Sequence, residues 1–117
     1  MVRRETIQRV ATPTAILVGV AEPLATACSD ALADGGLRVL RVGHVAAACE
    51  RIPVVMPQLV VVSSALRPED TEMLADRCVA VGAEMVKIPP DAASNASVVK
   101  ALKDAATTAL IRSLRGS

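Results

Sequence analysis

At 117 residues, with 52% hydrophobic and 21% charged side chains, the chain has the composition of one globular domain rather than a disordered segment. A formal charge of +1, from 13 basic and 12 acidic side chains, gives no general attraction to nucleic acid or to an anionic membrane. No Phe, Tyr or Trp is present, which excludes aromatic base stacking, aromatic cages for quaternary amines and phenolic acid–base chemistry.

Residues 1–13 read as a short polar leader and residues 14–117 as the domain. The leader carries arginines but no apolar stretch before Pro13, so no secretory signal is expected. Ala15–Ala21 is an apolar, β-branched run suited to a buried parallel strand. Pro23 then opens a helix on which Leu24, Ala27, Cys28, Ala31 and Leu32 recur at helical spacing. Gly35-Gly36 is expected to end it through a left-handed backbone. Leu37–Val42 forms a second strand, whose Arg38 and Arg41 suit a sheet edge.

His44, the single histidine, has no evident chemical partner and reads as a helix-starting, solvent-facing residue. A short helix follows from about Val45 to Arg51, with Pro53 expected to stop it. Leu59–Val62 is a third strand of fully buried character. Pro68 opens the next helix, with Glu69 and Asp70 at its positive end; Leu74, Cys78 and Val81 face inward, and Gly82 closes it. Glu84–Ile88 is the fourth strand. Pro89-Pro90-Asp91 turns the chain into a last helix, from about Ser94 to Leu114, with Val99, Leu102, Ala106 and Leu110 on its apolar face. Its cations Lys100, Lys103, Arg112 and Arg115 read as a solvated face.

Four strands each followed by a helix predict an α/β fold, a three-layer α/β/α sandwich around a four-stranded parallel sheet. The first and last helices are expected on one face and the middle two on the other. Cys28, Cys49 and Cys78 lack a Cys-x-x-Cys spacing and read as buried, reduced thiols, with no metal and no disulfide. No apolar run reaches membrane-spanning length, so no membrane insertion and a cytoplasmic location are expected. There Asn95-Ala96-Ser97, a glycosylation acceptor by pattern, would be idle.

Three stretches in order, AILVGVAEP (15–23), MPQLVVVSS (56–64) and GAEMVKIPPD (82–91), resemble the signature segments of the receiver domain of bacterial response regulators. The resemblance implies a flavodoxin-like sheet in the order 2-1-3-4, one βα unit shorter than the family's five. A deletion between MPQLVVV and SSALRPED would fuse two strands into one. It also implies a degenerate phosphoacceptor pocket made of Val20, Ala21, Glu22, Ser63, Ser64 and Lys87. Val20 and Ala21 stand where the family has its metal-holding acid pair, followed by a retained Glu22-Pro23. Ser63 replaces the phosphate-accepting aspartate, and either Ser63 or Ser64 matches the family's phosphate-contacting hydroxyl. Lys87 lies one residue from the family's lysine, a shift that turns a strand side chain to the opposite face. Met85 lies nearest the missing aromatic switch residue.

Phosphoryl transfer to such a domain needs a carboxylate nucleophile and a metal on oxygen ligands. With Glu22 as the single carboxylate, the expected role is non-catalytic and cofactor-free: a phosphorylation-independent signalling or scaffold module that binds proteins. The fourth strand, Glu84, Met85, Val86, Lys87 and Ile88, is the expected dimer edge, pairing with its symmetry mate in a homodimer. Two alternatives stand beside this. One is a serine-phosphorylated switch resembling an anti-sigma-factor antagonist; the other is a small-molecule binder at the carboxyl ends of the strands.

Overall fold

A computed structural model describes residues 13–90 and 96–115. Residues 1–12 of the expected leader, the Asp91 turn, the Ser94 helix start and Asn95 of the acceptor pattern lie outside the described residues. In chain order the elements are β1 (Thr14–Val18), α1 (Leu24–Asp34), β2 (Arg38–Val42), α2 (Val45–Val55), β3 (Leu59–Ser63), α3 (Pro68–Val81), β4 (Glu84–Ile88) and α4 (Ala96–Arg115). All strand pairs are parallel and the sheet order is β2-β1-β3-β4. This is the expected three-layer, flavodoxin-like α/β sandwich.

Strand burial follows position in the sheet. Every residue of β1 and β3 is buried, because these central strands are covered on both faces. The edge strands β2 and β4 mix exposed charges with apolar residues that are half-buried, apart from buried Ile88. Alternation divides the apolar side chains between two cores. Ala15, Leu17, Leu59, Val61 and Ile88 meet Leu24, Cys28, Leu32, Leu102 and Ala106 from α1 and α4. Ile16, Val18, Val60 and Val62 meet Ala48, Ile52, Leu74 and Cys78 from α2 and α3. The helices are thus shared two and two, first with last, as expected.

Three local expectations change. Pro53 lies inside α2 and does not stop it. So near the carboxyl end, proline removes a single ladder bond. The Met56 N–H still donates to the Ile52 carbonyl at 2.9 Å, and buried Ile52 anchors the last turn. β1 ends at Val18 rather than Ala21, since Gly19 takes a left-handed φ of 66° and its N–H donates to the Val42 carbonyl. The two glycines after α1 have different roles. Gly36 is left-handed, with φ 97°, whereas Gly35 has an ordinary φ of –80° and serves a close approach. A Cβ on Gly35 would lie 2.4 Å from the Ala106 Cβ of α4.

Backbone parity determines what the sheet edges offer. In a parallel strand the N–H and C=O of one residue point to the same side. The Glu84 N–H donates to the Gln58 carbonyl at 3.0 Å, and the Ile88 carbonyl accepts from the Ser64 N–H at 2.7 Å. Glu84, Val86 and Ile88 therefore face β3, and the peptide groups of Met85 and Lys87 face outward. On β2, the Arg38 N–H donates to the Pro13 carbonyl and the Val42 carbonyl accepts from the Gly19 N–H. Val39 and Arg41 are outward on that edge.

Candidate functional site at the carboxyl ends of the strands

In an open parallel sheet, ligands and chemistry collect beyond the carboxyl ends of the strands. Beyond β1 the chain turns at Gly19, Val20 packs against the α1/α4 core, and Ala21 and Glu22 are exposed. The Ala21 carbonyl accepts from the Ala25 N–H at 3.0 Å and so starts α1.

The Glu22 carboxylate is engaged at both oxygens by neighbours. Its Oε1 accepts from the Thr26 hydroxyl at 2.7 Å and from the Thr26 N–H at 3.3 Å. Its Oε2 pairs with Nη1 of Arg41, which reaches over from β2. Arg41 also donates from Nε to the Ser29 hydroxyl at 3.0 Å and from Nη2 to the Thr26 hydroxyl at 3.3 Å. The Thr26 hydroxyl first, and then Arg41, hold the Glu22 carboxyl below the usual carboxylate range. Glu22 therefore ties β2 to the start of α1. A cation approaching this carboxylate would meet the guanidinium already bound to it.

Ser63 ends β3 on the α1/α4 side of the sheet and is 6% exposed. Its hydroxyl oxygen accepts from the Ala65 N–H at 3.1 Å, closing a local serine turn. Ser64 is exposed, with its N–H bound to the Ile88 carbonyl. Lys87 is exposed on the α2/α3 side, opposite to Ser63, as the one-residue shift requires. Ser64 and Lys87 line one open groove of about 330 Å³ together with Leu66, Pro68, Thr71 and Glu72. Among the described residues Lys87 has no ion-pair partner.

The six expected pocket residues thus fall into three places. Val20 and Ser63 belong to the α1/α4 side, Ser64 and Lys87 share the α3 groove, and Glu22 is drawn to the β2 edge, with Ala21 exposed beside it. Arg41 and Lys87 stand on opposite edge strands, three strand spacings or roughly 14 Å apart. Among the described residues no three His, Cys, Asp or Glu side chains are placed to hold a metal ion. The cysteines are buried free thiols. His44 is exposed at the start of α2 and caps it with no side-chain hydrogen bond.

The Glu22–Thr26–Arg41–Ser29 network is not visible as a motif, although Arg41 stands out in sequence as a charge on an apolar strand. Comparisons with protein-family models, curated proteins and solved structures returned no match. Among the described residues no helix is long and apolar enough to cross a membrane.

Proposed function

We propose that this chain is a receiver-like module that works without phosphorylation, by protein–protein contact, and pairs with a second copy through β4. The observation that carries the proposal is the open β4 edge. Among the described residues the outward peptide groups of Met85 and Lys87 have no strand partner, and the Glu22 carboxylate at the strand ends is committed to Arg41. A two-fold axis normal to the sheet would run the two β4 strands antiparallel, with Met85 of each copy opposite Lys87 of the other. That geometry forms roughly four ladder hydrogen bonds, worth about 2–6 kcal/mol in total.

Association costs about 4–15 kcal/mol, so the ladder alone is insufficient. The shortfall points to apolar burial beside it. Val79 is 81% exposed on α3. By helical rotation it shares the side of α3 that carries Thr71 and Glu72, the residues lining the groove with Lys87. Burying one such valine from each copy adds about 1.5–3 kcal/mol apiece. The expected dimer is therefore weak, micromolar at its strongest.

The test is absolute mass by light scattering across a concentration series, with refractive-index detection because the chain lacks Trp and Tyr. Wild type should move toward twice the chain mass. Lys87→Pro removes an outward N–H without touching the β3 ladder, and should stay at one chain mass with unchanged circular dichroism. A strictly monomeric wild type at high micromolar concentration would overturn the reading.

One observation favours a second reading, the serine-phosphorylated switch. Ser63 is buried with its hydroxyl engaged, whereas Ser64 is exposed in the groove with Lys87, so Ser64 is the hydroxyl a kinase could reach. Mass spectrometry after treatment with candidate kinases tests it, and an unmodified Ser64 counts against it.

A further inference from the structure

At the other edge of the sheet a groove of about 350 Å³ opens between β2 and α2, lined by Thr14, Arg38, Val39, Leu40, Arg51 and Val55. Its size is at the lower end for a ligand site. The floor is apolar, from Leu40 and Val55, and the rim carries two guanidinium groups. Among the described residues Arg38 and Arg51 have no ion-pair partner, while Arg41 and Arg112 each have one and Arg67 has two. Among the described residues no carboxylate lines the groove. Beside it run the outward peptide groups of Val39 and Arg41, so hydrogen-bonding edge, apolar floor and uncompensated positive charge lie together.

We propose that the β2 edge docks an extended acidic peptide segment of a partner, which adds to the sheet as a fifth strand. Successive side chains of such a strand point to opposite faces, so every second one faces α2. An acidic residue there meets Arg38 or Arg51, and an apolar residue two positions along meets Leu40 and Val55. A second copy is the wrong occupant for this edge. Pairing β2 with β2 would add a second Arg38 and Arg51 to the same edge, and like charges on an edge oppose self-association. Arg41 is already neutralised by Glu22, which leaves Arg38 and Arg51 as the pair that selects the ligand. This inference does not depend on pairing at β4.

The probe is the acetylated synthetic peptide Glu-Thr-Val-Thr-Glu-Thr, titrated into the full chain labelled with ¹⁵N and followed by amide shifts. The expected result is saturable binding at high micromolar concentration, with the largest shifts at the Val39 and Arg41 amides and weakening as salt rises. Arg38→Gln and Arg51→Gln should each weaken binding roughly two- to fivefold. Val39→Pro deletes an outward N–H while sparing the ladder to β1, and should reduce binding at least tenfold. If Val39→Pro fails to fold, the arginine variants, both on exposed residues, still decide the matter. Four outcomes would overturn the proposal: equal binding of the peptide with Lys in place of Glu, no shift at Val39 and Arg41 at millimolar peptide, shifts confined to residues 84–88, or the same shifts from inorganic phosphate alone. The last would show a site for a bare anion rather than for a strand.

Discussion

Replacing Gly35 by alanine isolates one contact between α1 and α4. The backbone there, at φ –80° and ψ 0°, accepts an L side chain without strain, so the effect is steric alone. The new Cβ would lie 2.4 Å from the Ala106 Cβ and 3.3 Å from the Lys103 carbonyl oxygen. Carbon atoms rest at roughly 3.5–4 Å, so α4 must move outward by more than 1 Å locally. Overpacking of this kind costs about 1–3 kcal/mol. Against it stands a gain of about 0.4–1 kcal/mol from the smaller unfolded-state entropy of alanine. The expected net loss is about 1–2 kcal/mol, read as a lower urea midpoint with unchanged slope by far-ultraviolet circular dichroism. Ala106→Gly alone should cost about 1 kcal/mol for glycine within a helix, but in the double variant it removes the clash. The two changes should therefore couple favourably by at least 1 kcal/mol. Gly36→Ala is the control. Its loss, at least about 1–2 kcal/mol, arises from a left-handed φ of 97° and from a Cβ that would lie 2.8 Å from Leu110 Cδ2, a contact that Ala106→Gly does not relieve, so it should stay unrescued. A neutral Gly35→Ala, or one that Ala106→Gly fails to rescue, would refute the reasoning.

Val79→Asp should leave the chain folded, because the residue is exposed, while shifting self-association toward the single chain by at least tenfold in light scattering. Arg41→Gln should raise the titration midpoint of the Glu22 carboxyl, followed by carbon-13 shifts of its side chain. The depressed value means that the unfolded chain takes up the proton first on acidification, so Glu22's contribution to stability is present above the ordinary carboxylate range and is lost as pH falls through the folded value. Burial first, and then nearby Cys49, push the Cys78 thiol up to about 11. The unfolded chain therefore loses this proton first as pH rises, and stability should fall from the ordinary thiol range toward pH 11; Cys78→Ala should flatten that alkaline slope in urea melts. All three thiols should resist alkylation at pH 8 in the folded chain and react fully in denaturant.

The strands were legible because central parallel strands are apolar on both faces, as in AILV and LVVV, and proline or glycine marks most helix ends. The pairing of helices with sheet faces followed from the same alternation. What sequence could not show depends on distant pairings. Glu22 and Arg41 lie 19 residues apart, and they meet because β1 pairs in register with β2 and carries Arg41 to the start of α1. Gly35 and Gly36 look alike as a turn, yet the need for Gly35 arises from Ala106, an α4 residue far along the chain. Pro53 was misleading because the cost of a proline depends on how many helical bonds remain after it. At the candidate site the strand-parity argument placed Lys87 on the face away from Ser63. No sequence argument revealed that Ser63 is closed off by the Ala65 N–H or that Arg38 and Arg51 share a groove.

The sheet order has a consequence for geometry beyond one chain. A sheet that joins a copy of itself through β4 becomes eight strands wide and leaves a β2 rim at each outer end. Those rims lie about 34 Å apart, seven strand spacings, and are related by the same two-fold axis. A partner carrying two acidic segments on a linker of that reach would engage both ends at once, and effective concentration would turn two weak sites into one tight one. Pairing at β4 would then regulate capture at β2 through valency, with no change of shape in either chain.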